Sequence, residues 1–164
     1  MSVYDKTKVF ALLDEMRIAY ERVDHPAVFT IEEMEALGLE RMDQVVKNLF
    51  IRDDKKRAYY LIMLENSKSA NLKELRQKIG SKPLTFASEE DLYHYLRLQK
   101  GAVTPLGALH DVDHKVVIVI DNALKQYERV GIHPNDNTAT VFLPVDDLVQ
   151  LLGARGQEIL FLDL

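Results

Sequence analysis

The chain has 164 residues, 47% apolar and 29% charged, with 7 Gly, 5 Pro and a net charge of −5. That is one domain's worth of polypeptide, spanning 1–164, with apolar content for a single sizeable core. It holds no Cys, which excludes disulfides, thiol nucleophiles and thiolate metal sites together.

Thr7 to Met16 carries Val9, Leu12, Leu13 and Met16 at helical spacing, with Asp5 or Thr7 as its cap. Tyr20 to Val23 reads as a short strand. Thr30, with Glu33 three residues on and Gly38 beyond, marks a capped helix. Asn48 to Arg52 and Ala58 to Leu64 read as a hairpin across the polar turn Asp53 to Lys56. Asn71 to Ile79 is an amphipathic helix stopped by Gly80. Leu84 to Phe86 is a strand, and Ser88 opens a helix with acidic residues in its first turn.

Beyond Lys100 the pattern breaks through Gly101 to Gly107. Lys115 to Asp121 is a buried-type strand and Ala123 to Glu128 a short helix. Thr138 to Leu143 is an alternating strand, entered through the turn formers His133 to Asn137. Pro144 begins a helix over Val145 to Leu152, and Glu158 to Leu162 is a last strand. The fold class is α+β: a single domain with a curved, mostly antiparallel mixed sheet flanked by helices.

No apolar run approaches the roughly 20 residues of a membrane span, and the start MSVYDKTK lacks the apolar core of a signal peptide. These features point to a cytoplasmic protein without membrane contact. The acidic balance argues against coating nucleic acid, which needs clustered Lys and Arg. It leaves room for a small contact with the end of one.

Three stretches carry candidate chemistry, each beside a plainer reading. Gly101, Ala102, Val103, Thr104 and Pro105 form a loop that can present backbone N–H groups to a carbonyl or carboxylate; many loops share that spacing. Lys47 enters a strand, where Lys usually solvates an edge, but it can also aim a cation at a substrate oxygen. Beside it, Asn48 suits a turn. Pro134, Asn135, Asp136 and Asn137 explain a turn; His133 is not required by one. His110, Asp111, Asp113 and His114 offer metal-ligand types, but no third convincing ligand lies near. They read better as a hairpin-type turn before the buried strand.

His25 to Thr30 (HPAVFT), Lys47 to Phe50 (KNLF), Gly101 to Pro105 (GAVTP) and His133 to Thr140 (HPNDNTAT) occur in that order. The ordered set resembles the YbaK/ProX superfamily of freestanding prolyl-tRNA editing proteins, over nearly the full chain. That resemblance implies hydrolysis of an amino acid wrongly esterified to proline tRNA, with no metal and no cofactor. The loop ending Val103-Thr104-Pro105 and the run His133 to Asn137 look most like the alanine-specific branch. The substrate implied is therefore the 3′ acceptor end of tRNA(Pro) carrying alanine, with prolyl-tRNA synthetase as a further partner.

By the same resemblance Lys47 is the catalytic cation. Asn48 shapes the pocket, backbone N–H groups from Gly101 to Thr104 hold the aminoacyl carbonyl while Pro105 keeps the loop rigid, and His133, with Asn135 and Thr138, lines the substrate side. The alternatives are a Cys-tRNA(Pro) deacylase, a non-catalytic sensor of an amino acid or aminoacyl-tRNA, and a synthetase partner.

Overall fold

The computed structural model describes residues 3–164. Its five helices are α1 (Lys6–Glu15), α2 (Ile31–Ala36), α3 (Leu72–Ile79), α4 (Glu89–Leu96) and α5 (Val145–Gly153). Its strands are β1 (Glu21–Asp24), β2 (Lys47–Asp53), β3 (Tyr59–Leu64), β4 (Leu84–Phe86), β5 (Val116–Asp121), β6 (Val130–Ile132), β7 (Ala139–Leu143) and β8 (Ile159–Leu162). Short 3₁₀ turns cover Met42–Gln44, Pro105–His110 and Asn122–Gln126.

Local chemistry sets the helix boundaries. The side chains of Asp5, Thr30, Asn71 and Ser88 each accept a backbone N–H from the first turn of the helix they precede. At α2 the favour is returned: Glu33 Oε2 accepts the N–H of Phe29 at 2.8 Å. Gly80, at φ +76°, closes α3 in the left-handed region that favours glycine.

The α+β class holds, but the single expected sheet is two. One has the order β4-β2-β3-β5-β8, with β2 antiparallel to β3 and β4, and β5 parallel to β3 and β8. The other, β1-β7-β6, is antiparallel throughout. Among the described residues they meet at one parallel bridge between Val45 and Gly131, where Val46 N–H donates to the Gly131 carbonyl at 3.1 Å. Gly131 is required there: a Cβ would lie 2.7 Å from the Phe142 ring.

Strands β3 and β5 are buried on both faces, as parallel central strands usually are. Leu61, Met63, Ile118 and Ile120 pack toward α1, α4 and α5, while Ile62, Leu64 and Val119 face α3 through Leu75. Each such buried aliphatic side chain contributes about 1.5–3 kcal/mol. A third, smaller cluster of Val28, Met34, Val45 and Phe142 sits beneath α2.

The His110 to His114 segment is a turn, but not a hairpin, since β5 pairs in parallel on both sides. Its side chains are committed to the fold. His110 Nδ1–H donates to the Leu96 carbonyl at 2.8 Å, and its Nε2 accepts Tyr4 N–H at 2.8 Å. Asp111 accepts the N–H groups of Lys115 and Val116. Among the described residues no group of three or more His, Cys, Asp or Glu is placed to hold a metal ion.

Candidate active site

Where the two sheets meet, α2, the head of β2, the 101–105 loop and the end of β6 enclose a cleft of about 300 Å³. Val28, Met34, Val45 and Ile132 make its walls apolar, with Thr140 among the lining residues.

Lys47 begins β2 at this cleft, paired in register with Leu64 of β3. Its Nζ donates to the Lys68 carbonyl at 2.7 Å. That carbonyl belongs to a tightly held segment. Lys68 Nζ lies 3.0 Å from Oδ2 of the buried Asp121, which also accepts Glu65 N–H and Ala123 N–H. The Asn48 side chain lines the same cleft, and its Oδ1 is buried without a partner among the described residues. A buried amide oxygen left unbonded is costly, so this one is available to a ligand.

The opposite side is the glycine loop. Ala102 N–H is spent on the Gln99 carbonyl. The N–H groups of Gly101 and Val103, both lining the cleft, donate to no other described residue. Gly101 adopts φ +87°, and a Cβ on it would meet the Phe29 ring at 2.8 Å and the Phe29 Cα at 3.0 Å. Glycine thus serves twice here, for backbone conformation and for close approach.

The third side is the turn at His133. Its Nδ1–H donates to the Ala139 carbonyl at 2.9 Å, which leaves the lone pair on Nε2. Burial pushes its pKa below the usual histidine value, with His25 nearby acting in the same direction and the Ala139 bond opposing. The ring at the cleft is therefore a neutral acceptor. Thr104 ties this turn to the glycine loop, its hydroxyl donating to the His133 carbonyl at 2.6 Å.

Residues 25–151 match the model of the aminoacyl-tRNA editing domain. The chain is 46% identical, over 156 residues and 95% of both proteins, to the prolyl-tRNA editing protein ProX of Acetoanaerobium sticklandii. The chain belongs to the aminoacyl-tRNA editing domain family. It is also 35% identical to prolyl-tRNA synthetase associated domain-containing protein 1 of Mus musculus, over 92% of this chain and 91% of that one. In fold, the editing domain superimposes on the crystal structure of the hypothetical protein APE2540 with a TM-score of 0.73, covering 96% of this chain and 99% of that one at 18% identity.

Of the residues singled out from sequence, the editing domain brings Lys47, Asn48, Gly101, Val103 and His133 to one cleft. The other five stand behind it. Ala102 and Pro105 are buried in the loop, and Thr104 makes the link just described. Asn135 Nδ2 donates to the carbonyls of Tyr4 and Leu106, and Thr138 bonds Lys6 and Asp136. Asp136 lies below the ordinary carboxylate range: burial pushes it up, but the Thr138 hydroxyl and N–H and the Lys6 cation outweigh that.

Sequence reasoning gave no place in the site to Val28, Phe29, Thr30, Ile31 and Met34, which supply the α2 side of the cleft. The signal available was the His25 to Thr30 motif itself. His25 also reaches the site's edge: its Nδ1–H donates to the Pro26 carbonyl, and its Nε2 accepts the Thr140 hydroxyl at 2.9 Å.

Proposed function

We propose that the whole chain, 1–164, works as one trans-editing deacylase that hydrolyses Ala-tRNA(Pro). The observation that carries this reading is that Lys47 lines one small cleft together with Gly101 and Val103, whose N–H groups have no partner among the described residues. The relatives' names, a prolyl-tRNA editing protein and a prolyl-tRNA synthetase associated domain protein, supply the substrate class.

The chemistry follows from those groups. Water attacks the ester carbonyl carbon and the carbonyl oxygen becomes an oxyanion. Donors aimed at that oxygen stabilise it without reorganising, the usual largest source of acceleration in acyl transfer. Gly101 and Val103 N–H groups fill that role, with Lys47 supplying positive charge. Collapse of the intermediate breaks the bond to the terminal ribose oxygen, whose neighbouring hydroxyl assists the proton transfer. The alanyl ammonium is met by acceptors, Asn48 Oδ1 and His133 Nε2.

Alanine is smaller than proline, so a synthetase pocket shaped for proline admits it; each missing methylene discriminates by only about 1–3 kcal/mol. A second, tighter site corrects the error. Walls of Val28, Met34, Val45 and Ile132 fit a methyl side chain and oppose a ring. The partners in this reading are the 3′ acceptor end of tRNA(Pro) and, by handover, prolyl-tRNA synthetase, which places the protein in the cytoplasm. Among the described residues no helix is long and apolar enough to cross a membrane.

The test is deacylation of Ala-tRNA(Pro), Cys-tRNA(Pro) and Pro-tRNA(Pro) by the purified protein. Loss of alanine alone supports the reading. Loss of cysteine alone moves the specificity to the other branch, and stability of all three esters overturns the enzyme.

A further inference from the structure

Phe29 is out of place by ordinary rules. It is 61% exposed, yet its backbone is tied down and its ring rests against Gly101. Glu33 Oε2 holds its N–H at 2.8 Å. Gly101 packs close beneath it at φ +87°: a Cβ there would lie 2.8 Å from the ring carbon Cδ1 and 3.0 Å from the Phe29 Cα. An exposed, loosely held phenylalanine is a surface accident. One held open to solvent at the rim of a cleft, against a glycine whose conformation and close approach disfavour any side chain, is a platform.

The cleft beneath it takes an ester, and the alcohol part of that ester is a nucleoside whose base must go somewhere near the rim. Purine faces stack on aromatic rings regardless of hydrogen-bonding pattern, which suits a site that reads the end common to all tRNAs. Lys100, the residue before Gly101, is highly exposed, and its contact with Glu89 is a loose surface pair at 3.8 Å. Such a pair is weak, so the cation is available to a phosphodiester.

We propose that Phe29 is the stacking platform for the adenine of the terminal adenosine that carries the amino acid. This rests on the deacylase reading above. It assigns Phe29 to substrate binding rather than to the chemical step, and makes Gly101 the residue that seats the ring.

The protein contains no Trp, so Phe29→Trp introduces a single fluorescent reporter at the rim. Titration with 5′-AMP should quench it saturably, while ribose 5-phosphate should not. In kinetics, Phe29→Ala should raise KM for Ala-tRNA(Pro) by about ten- to a hundredfold, the weight of one stacked base, with kcat nearly unchanged. Phe29→Trp should restore it and Phe29→Leu should not. Hydrolysis of alanine methyl ester, which has no base, should fall much less in Phe29→Ala than that of Ala-tRNA(Pro). Equal loss on the methyl ester, full activity in Phe29→Leu, or no quenching by 5′-AMP would each overturn the proposal. A wild-type protein inert toward Ala-tRNA(Pro) would instead refute the deacylase reading.

Discussion

The Lys47 ammonium and the Lys68 carbonyl oxygen stand 2.7 Å apart, and the buried carboxylate of Asp121 holds Lys68 from the other side. The chief cation of the cleft is therefore placed by a neighbouring chain segment rather than by an acidic partner of its own. Lys47→Ala should lower kcat/KM on Ala-tRNA(Pro) by about a hundredfold or more, as losing one oxyanion donor does, with the thermal midpoint little changed. Near-normal turnover would remove Lys47 from the mechanism.

Asp121 is the anchor of that segment. Asp121→Ala removes the carboxylate beside Lys68, leaving its ammonium only the Leu164 carbonyl and solvent, and frees the N–H groups of Glu65 and Ala123. Because Lys68 is one-third exposed, the loss should fall below that of a fully buried pair, at about 2 kcal/mol. Urea unfolding measures it. Deacylation should also fall in kcat, since the Lys68 carbonyl no longer holds Lys47 in place.

Thr104→Val keeps shape and removes the hydroxyl that bonds the His133 carbonyl. The partly buried carbonyl loses its partner, at a cost of about 1 kcal/mol. The two loops that bound the cleft should loosen together. Alanine-to-proline selectivity, compared by deacylation of both esters, should narrow while the Lys47-dependent step survives.

Stability should depend on pH through His133 and His110, both held below the ordinary histidine value mainly by burial. As pH falls past about 6.5, the unfolded chain takes up these protons before the folded one. Stability is therefore complete above that value, declines through the window below it, and levels once the folded rings are protonated too. His133→Gln should flatten part of this slope and leave the share due to His110. Denaturant midpoints measured from about pH 7.5 to 5 check it; an unchanged slope would mean that His133 stays equally proton-accepting when folded.

Much of the fold was legible because the signals were local. Caps at Thr30, Asn71 and Ser88 and the stop at Gly80 each depend on a few adjacent residues. Strand β6 escaped notice because Val130, Gly131 and Ile132 are too few to show a period. The split into two sheets was equally hidden. It depends on which distant strands pair, and the parallel neighbours β3, β5 and β8 are joined through long connections.

At the site, a motif shows which segments converge but not which side chains face inward. Asn135 and Thr138 sit beside His133 in sequence, yet their polar groups are spent on Tyr4, Leu106, Lys6 and Asp136. Phe29 was invisible for the opposite reason. An apolar letter in sequence reads as core, and only the folded chain shows it exposed against Gly101.

The lone bridge from Val45 to Gly131 gives the protein an evolutionary freedom. Val28 and Met34 belong to neither ladder, so they can be exchanged while both keep their registers. Lys47 and the glycine loop would pass unchanged to descendants that sieve for a different small amino acid. Selectivity and chemistry are then inherited as separable traits, and a new substrate requires new wallpaper rather than a new house.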